Sequence, residues 1–175
     1  MAFSVEQQLS APERVQAALK AAGGTPRIVE FPASTRTAQE AAATVGTSVG
    51  QIVKSLVFLA GDSPVLALVS GVNQLDPDRL GALMGAAIGK ADANRVRQAT
   101  GYAIGGVPPT GFPAPIPTVI DRDLLQYDIV WAAAGTPRHV FAIAPAELVR
   151  ITGGRVADLK PRPYPPPERE GNDQG

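Results

Sequence analysis

The sequence predicts an α+β fold in one domain, with a mixed, mostly antiparallel sheet flanked by helices. Three observations carry this expectation. Helical and strand-like segments alternate irregularly along 175 residues, without the regular βαβ rhythm of a doubly wound parallel sheet. Two adjacent strand segments, 54–60 and 65–70, are joined by Gly61-Asp62-Ser63-Pro64, which reads as a hairpin turn. Hydrophobic residues make up 45% of the chain, enough for a core, whereas aromatics are only 5%, so aliphatic side chains must fill it.

The elements follow in order. Ser10-Ala11-Pro12-Glu13 is a helix start, with serine as cap and proline in the first turn. Val15, Ala18, Leu19 and Ala22 continue at helical spacing until Gly23-Gly24. Residues 27–31 read as a strand ending at Pro32, and 34–45 as an alanine-rich helix closed by Gly46. The segments 54–60 and 65–70 are close to continuously apolar, which predicts strands buried on both faces. Helices are expected over 76–84 and 92–100, capped by Asp76 and Asp92. Residues 101–117 are too rich in Gly and Pro for a regular element. Strands are expected at 116–120, 129–133 and 139–143, and a last helix at 145–151. The domain is expected to span residues 10–158. From Lys160 the tail PRPYPPPEREGNDQG is proline-rich and then polar, a composition expected to stay disordered.

Composition removes several chemistries. No cysteine is present, which excludes thiolate nucleophiles and disulfides, and the single His139 excludes a multi-histidine metal site. No metal and no cofactor is therefore expected. Sixteen basic residues balance sixteen acidic ones, so the chain lacks the overall basic footprint of a nucleic-acid binder, although a local patch remains open. Lys90, Arg95 and Arg97 cluster around one expected helix start and offer such a patch; an ordinary solvated face is the competing reading. No signal-peptide pattern and no apolar run of membrane-spanning length is seen, so a soluble cytoplasmic protein is expected.

Two nucleotide- or acyl-chemistry motifs fail on context. Gly46-Thr47-Ser48-Val49-Gly50 spells the G-x-S-x-G of a serine hydrolase, but that elbow needs a strand before the serine and a helix after it. Here the order is reversed, so Ser48 reads as part of a helix-to-strand link. Gly85 to Lys90 lacks the P-loop spacing and the hydroxyl residue after lysine.

Lys54 and the loop at 105–111 are the two unusual features left. Lys54 opens an apolar strand. It either snorkels to water at the strand end or presents a rigidly held cation to a cleft. Gly105-Gly106-Val107-Pro108-Pro109 is stiff and leaves backbone amides exposed; it is either a connector or a seat for a carbonyl or carboxylate.

The stretches TAQEAAATVG, QIVKSLVFLA, VLALVSGVNQLD, ATGYAIGGVPPTG and IPTVIDRDLLQYDIVWAAAGTPRHVFAI, read together, resemble the YbaK/EbsC family of aminoacyl-tRNA deacylases, related to the editing insert of prolyl-tRNA synthetase. The resemblance runs from about Thr37 to Gly154. It implies a barrel-like sheet and an enzyme that deacylates mischarged tRNA, Cys- or Ala-tRNA(Pro) foremost, by water attack on the ester. It implies Lys54 as the key catalytic residue, and substrate binding by Gly105, Gly106, Val107 and Pro108, with Ser70 and Gly71 beside them. The implied partners are the acceptor end of aminoacyl-tRNA and prolyl-tRNA synthetase. Family loops often carry histidine where this chain has Phe112, and a bulky apolar residue where it has Thr110. A non-catalytic binding module of the same fold is the alternative. His139 is not tied to the family chemistry and reads as a partly buried strand residue.

Overall fold

The computed structural model describes residues 9–161. The helices are α1 (Ala11–Ala21), α2 (Ala38–Val45), α3 (Pro77–Met84), α4 (Ala93–Thr100) and α5 (Pro145–Thr152). The strands are β1 (Val29–Glu30), β2 (Val53–Ala60), β3 (Ser63–Ser70), β4 (Ile88–Lys90), β5 (Thr118–Asp121), β6 (Val130–Ala133), β7 (His139–Ile143) and β8 (Arg155–Ala157). The α+β architecture and the antiparallel bias are as expected: four strand pairs are antiparallel, while β3–β5 and β5–β8 are parallel.

The strands do not close into a barrel. They form a five-stranded sheet, β4-β2-β3-β5-β8, and a three-stranded sheet, β1-β7-β6. A single parallel bridge between Ile52 and Trp131 joins the two. One apolar core spans both sheets: Val53, Leu66, Leu68 and Ile120 pack with Val130, Phe141 and Ile143. A second core, with Val65, Ala67, Val69, Leu80 and Leu159, fills the opposite face of the larger sheet.

Helix starts follow their caps. Ser10, Asp76 and Asp92 each accept a backbone amide of the first turn, which satisfies one of the helix's free donors. The second helix begins at Ala38 rather than Ser34, because Thr37 caps it by accepting from the Glu40 amide. The hairpin turn is tighter than expected, since β3 already begins at Ser63. β3 is buried on both faces, but β2 is only half-buried beyond Val53. β4 pairs with β2 only at Phe58, Leu59 and Ala60, and these residues too stay half-buried. Lys90 ends β4, two residues before the Asp92 cap of α4. Beyond Pro161 the expected tail lies outside the described residues, as does the expectation for residues 1–8. Lys160 is exposed and pairs with Asp123 at 2.9 Å.

Candidate aminoacyl-binding cleft

β2 and β6 meet at the Ile52–Trp131 bridge, and β4 joins the outer edge of β2 only at Phe58. Between these points the edge of β2 has no ladder partner. A cleft of about 380 Å³ opens there. Its walls come from Lys54 to Leu56 of β2, the start of α2, Trp131 to Ala133 of β6, and Ile104, Gly105 and Val107. Alanines 38, 41, 132 and 133 make much of the wall, so small side chains leave the space open.

Lys54 lines this cleft from the stretch of β2 that has no outer ladder partner, with Ser55 and Leu56 beside it and Val69 of β3 as its inner partner. Its ammonium donates to the main-chain carbonyl of Asn73, in the turn after β3. Burial lowers its pKa below the ordinary lysine value, and the negative charge of Asp121 opposes that shift. Lys54 thus stands half-buried at the cleft wall, with its ammonium held by the Asn73 carbonyl.

The predicted loop reaches the same cleft, but its residues divide the work. Gly105 and Val107 line the space, and Arg36 lies across from Gly105. Gly105 has φ +92°, a conformation that costs a side-chain residue strain. Gly106 is buried behind it. A Cβ on Gly106 would stand 2.7 Å from the carbonyl oxygen of Gly135, whose amide donates to Gly106 O at 2.9 Å. This glycine therefore allows the loop to dock on the turn between β6 and β7. Pro108 is buried and is not among the lining residues. Gly71 lines the cleft, its amide donating to Ile52 O at 2.8 Å. Ser70 does not line it. That side chain is fully buried, and its hydroxyl donates to Gly50 O at 2.7 Å.

The decoys resolve locally. Ser48 precedes a one-turn 3-10 helix at Val49–Gln51, and its hydroxyl donates to Gln51 Oε1 at 2.8 Å. His139 contacts Thr136 Oγ1 through Nδ1, and its Nε2 stands 3.8 Å from Glu30. Thr110 and Phe112 line a separate groove, with Ala18, Ala22, Pro115 and Thr152. Among the described residues no cluster of three metal-ligating side chains occurs. Among the same residues no helix is long and apolar enough to cross a membrane.

Residues 32–151 match the sequence model of the aminoacyl-tRNA editing domain. The chain belongs to the aminoacyl-tRNA editing family. Within that family it is 27% identical over 124 residues to EbsC of Enterococcus faecalis, a proposed Cys-tRNA(Pro)/Cys-tRNA(Cys) deacylase, covering 70% of this chain and 76% of that protein. It is 30% identical over 135 residues to the proline–tRNA ligase of Streptococcus sanguinis, covering 72% of this chain but only 22% of the ligase. A crystal structure of a proposed trans-editing enzyme for prolyl-tRNA synthetase superposes with a TM-score of 0.83. The two share 50% identity over 92% of this chain and all of that one. The editing-domain fold thus places Lys54 and the 105–107 loop around one cleft in this member.

Three cleft features escaped the sequence reading. Arg36 and Trp131 gave no signal beyond their residue type. Ser55 lines the cleft, and its hydroxyl oxygen is buried without a hydrogen-bond partner among the described residues. A serine beside a lysine in a strand carries no sequence signal of this placement.

Proposed function

We propose that this editing-family member is a trans-editing hydrolase that deacylates mischarged aminoacyl-tRNA, with Cys- and Ala-tRNA(Pro) the foremost substrates. The observation that carries the reading is the juxtaposition of a partly buried Lys54 ammonium with the Gly105–Val107 loop in a cleft walled by alanines. A synthetase pocket rejects a substrate differing by one methylene by only ~1–3 kcal/mol, so a second site must remove the errors. A small-walled cleft suits small amino acids.

In this reading water attacks the ester carbonyl. The new bond joins water oxygen to the carbonyl carbon, the bond to the ribose oxygen breaks, and a proton passes to that oxygen. Lys54 holds the carbonyl end of the substrate and offsets negative charge as it develops. Gly105, Gly106, Val107 and Pro108 form the wall and backing that fix the amino acid, and Gly71 lines the cleft with the buried Ser70 behind it. The buried Ser55 hydroxyl gains its partner when the substrate enters. Residues 10–158 form the functional unit. It works in the cytoplasm on the acceptor end of tRNA, downstream of prolyl-tRNA synthetase.

The test is single-turnover deacylation of tRNA(Pro) charged with Ala, Cys, Ser or Pro, using wild type, Lys54→Ala and Ser48→Ala. The expected result is turnover of one small amino acid, a loss of at least ~100-fold in Lys54→Ala, and no change in Ser48→Ala. Binding without turnover by folded wild type on every substrate would replace this reading with the non-catalytic module.

A further inference from the structure

Asp121 is a buried carboxylate, 1% exposed, at the end of β5. A carboxylate withdrawn from water needs donors or opposing charge. Its Oδ2 accepts from the Ser70 amide at 3.0 Å and from Asn73 Nδ2 at 2.9 Å, while Oδ1 accepts from the Asp123 amide at 3.0 Å. Asn73 gives its other amide hydrogen to Asp123 Oδ2 at 2.7 Å, which also receives Lys160. The side chain of Asn73 is thus clamped between two carboxylates, and its main-chain carbonyl receives the Lys54 ammonium.

We propose that Asp121 is a positioning residue for Lys54: it pins the Ser70–Asn73 turn, and so fixes the carbonyl that aims the ammonium into the cleft. This rests on the editing reading for its purpose, not for its geometry. None of the ion pairs among the described residues includes Lys54, so Asp121 acts on it through Asn73 and through the field across that contact. Asp121 from β5 is the charge that acts on Lys54; Asp123 and Lys160 lie beyond it on the far side of Asn73, and Arg36 lines the same cleft beside Gly105. Among these Asp121 is the carboxylate whose charge favours the ammonium.

The experiment is competitive labelling of the folded protein with trace acetic anhydride from pH 6 to 11, reading Lys54 against the exposed Lys20 and Lys90 by mass spectrometry. Wild type, Asp121→Asn and Asn73→Ala are compared, with circular dichroism to establish folding. Asparagine at 121 fills the same space but turns an amide N–H toward backbone donors in either orientation. Both changes weaken the hold on the protonated amine. The expected result is a Lys54 titration midpoint moved to lower pH, its labelling at pH 8 rising about tenfold per unit of movement, with Lys20 and Lys90 unchanged. Deacylation by the same variants should lose kcat more than it raises KM. A Lys54 labelling curve that superimposes on wild type in either folded variant overturns the proposal, and Asn73→Ala decides alone if Asp121→Asn does not fold. If wild type deacylates no mischarged tRNA, the editing reading fails while the labelling curves still decide this one.

Discussion

Lys54 carries opposing demands, and these make it testable by pH. Burial disfavours its charge and Asp121 favours it, with burial the larger effect. Its folded-state pKa therefore lies below that of an ordinary lysine. If the ammonium form does the work, kcat/KM must fall as pH rises, along an alkaline limb that begins below the range of an exposed lysine. Deacylation rates corrected for spontaneous ester hydrolysis should show that limb, and a flat profile to pH 10 would remove the charge from the mechanism. Ser55 gives a second residue-scale test. Ser55 Oγ has no hydrogen-bond partner among the described residues, so Ser55→Ala removes no internal bond and should leave the free protein at least as stable as wild type. The same change should raise KM for the aminoacyl-tRNA, because the partner group of the substrate then goes unmatched. Stability kept while KM rises, by urea unfolding and steady-state kinetics, would separate a substrate contact from a packing fault.

At the scale of elements, the signals that were legible in the sequence were the local ones. Ser10, Asp76 and Asp92 announced helices because a cap acts within three residues of itself. β4 and β8 were missed because each has three residues and exists only through pairing with β2 or β5, leaving no period to read. The half-burial of β2 was hidden for a related reason: how much of a strand is covered is set by elements distant in sequence. The site divides in the same way. Lys54 and the glycine loop were visible, whereas the clamp on Asn73 joins residues 48 and 50 positions apart and cannot be seen as a motif. The loop also corrects the weight given to Phe112. Its ring meets Tyr102 edge-on at 6.5 Å between centroids, on the groove side and not in the Lys54 cleft. Phe112→His should therefore leave the deacylation rate and the choice of amino acid unchanged, while loss of the aromatic pair lowers stability by about 1 kcal/mol. A changed substrate preference in that variant would mean the groove reaches the amino acid after all.

At the scale of the molecule, two sheets that share one bridge raise the question of whether they fold as one unit. The ladder connection is minimal: Ile52 with Trp131. The apolar connection is extensive, since buried side chains of β2, β3 and β5 pack in one cluster with those of β6 and β7, and α1 and α5 add Val15, Leu19 and Leu148 to it. Burial of this kind scales with area and does not depend on ladder continuity, so the core outweighs the seam. The cleft lies along that seam, which means the site opens where hydrogen bonding is thinnest while the core beneath holds the walls at fixed spacing. Trp131 is the sole tryptophan of the chain and lies at the bridge, in the cleft wall. Its fluorescence therefore reports the seam directly, and far-ultraviolet circular dichroism reports the helices and both sheets. Unfolding in urea should give coincident transitions by the two probes, as a single cooperative domain requires. A fluorescence transition that precedes the dichroism change would show the smaller sheet parting first, and the cleft would then be a hinge between two units instead of a rigid slot within one.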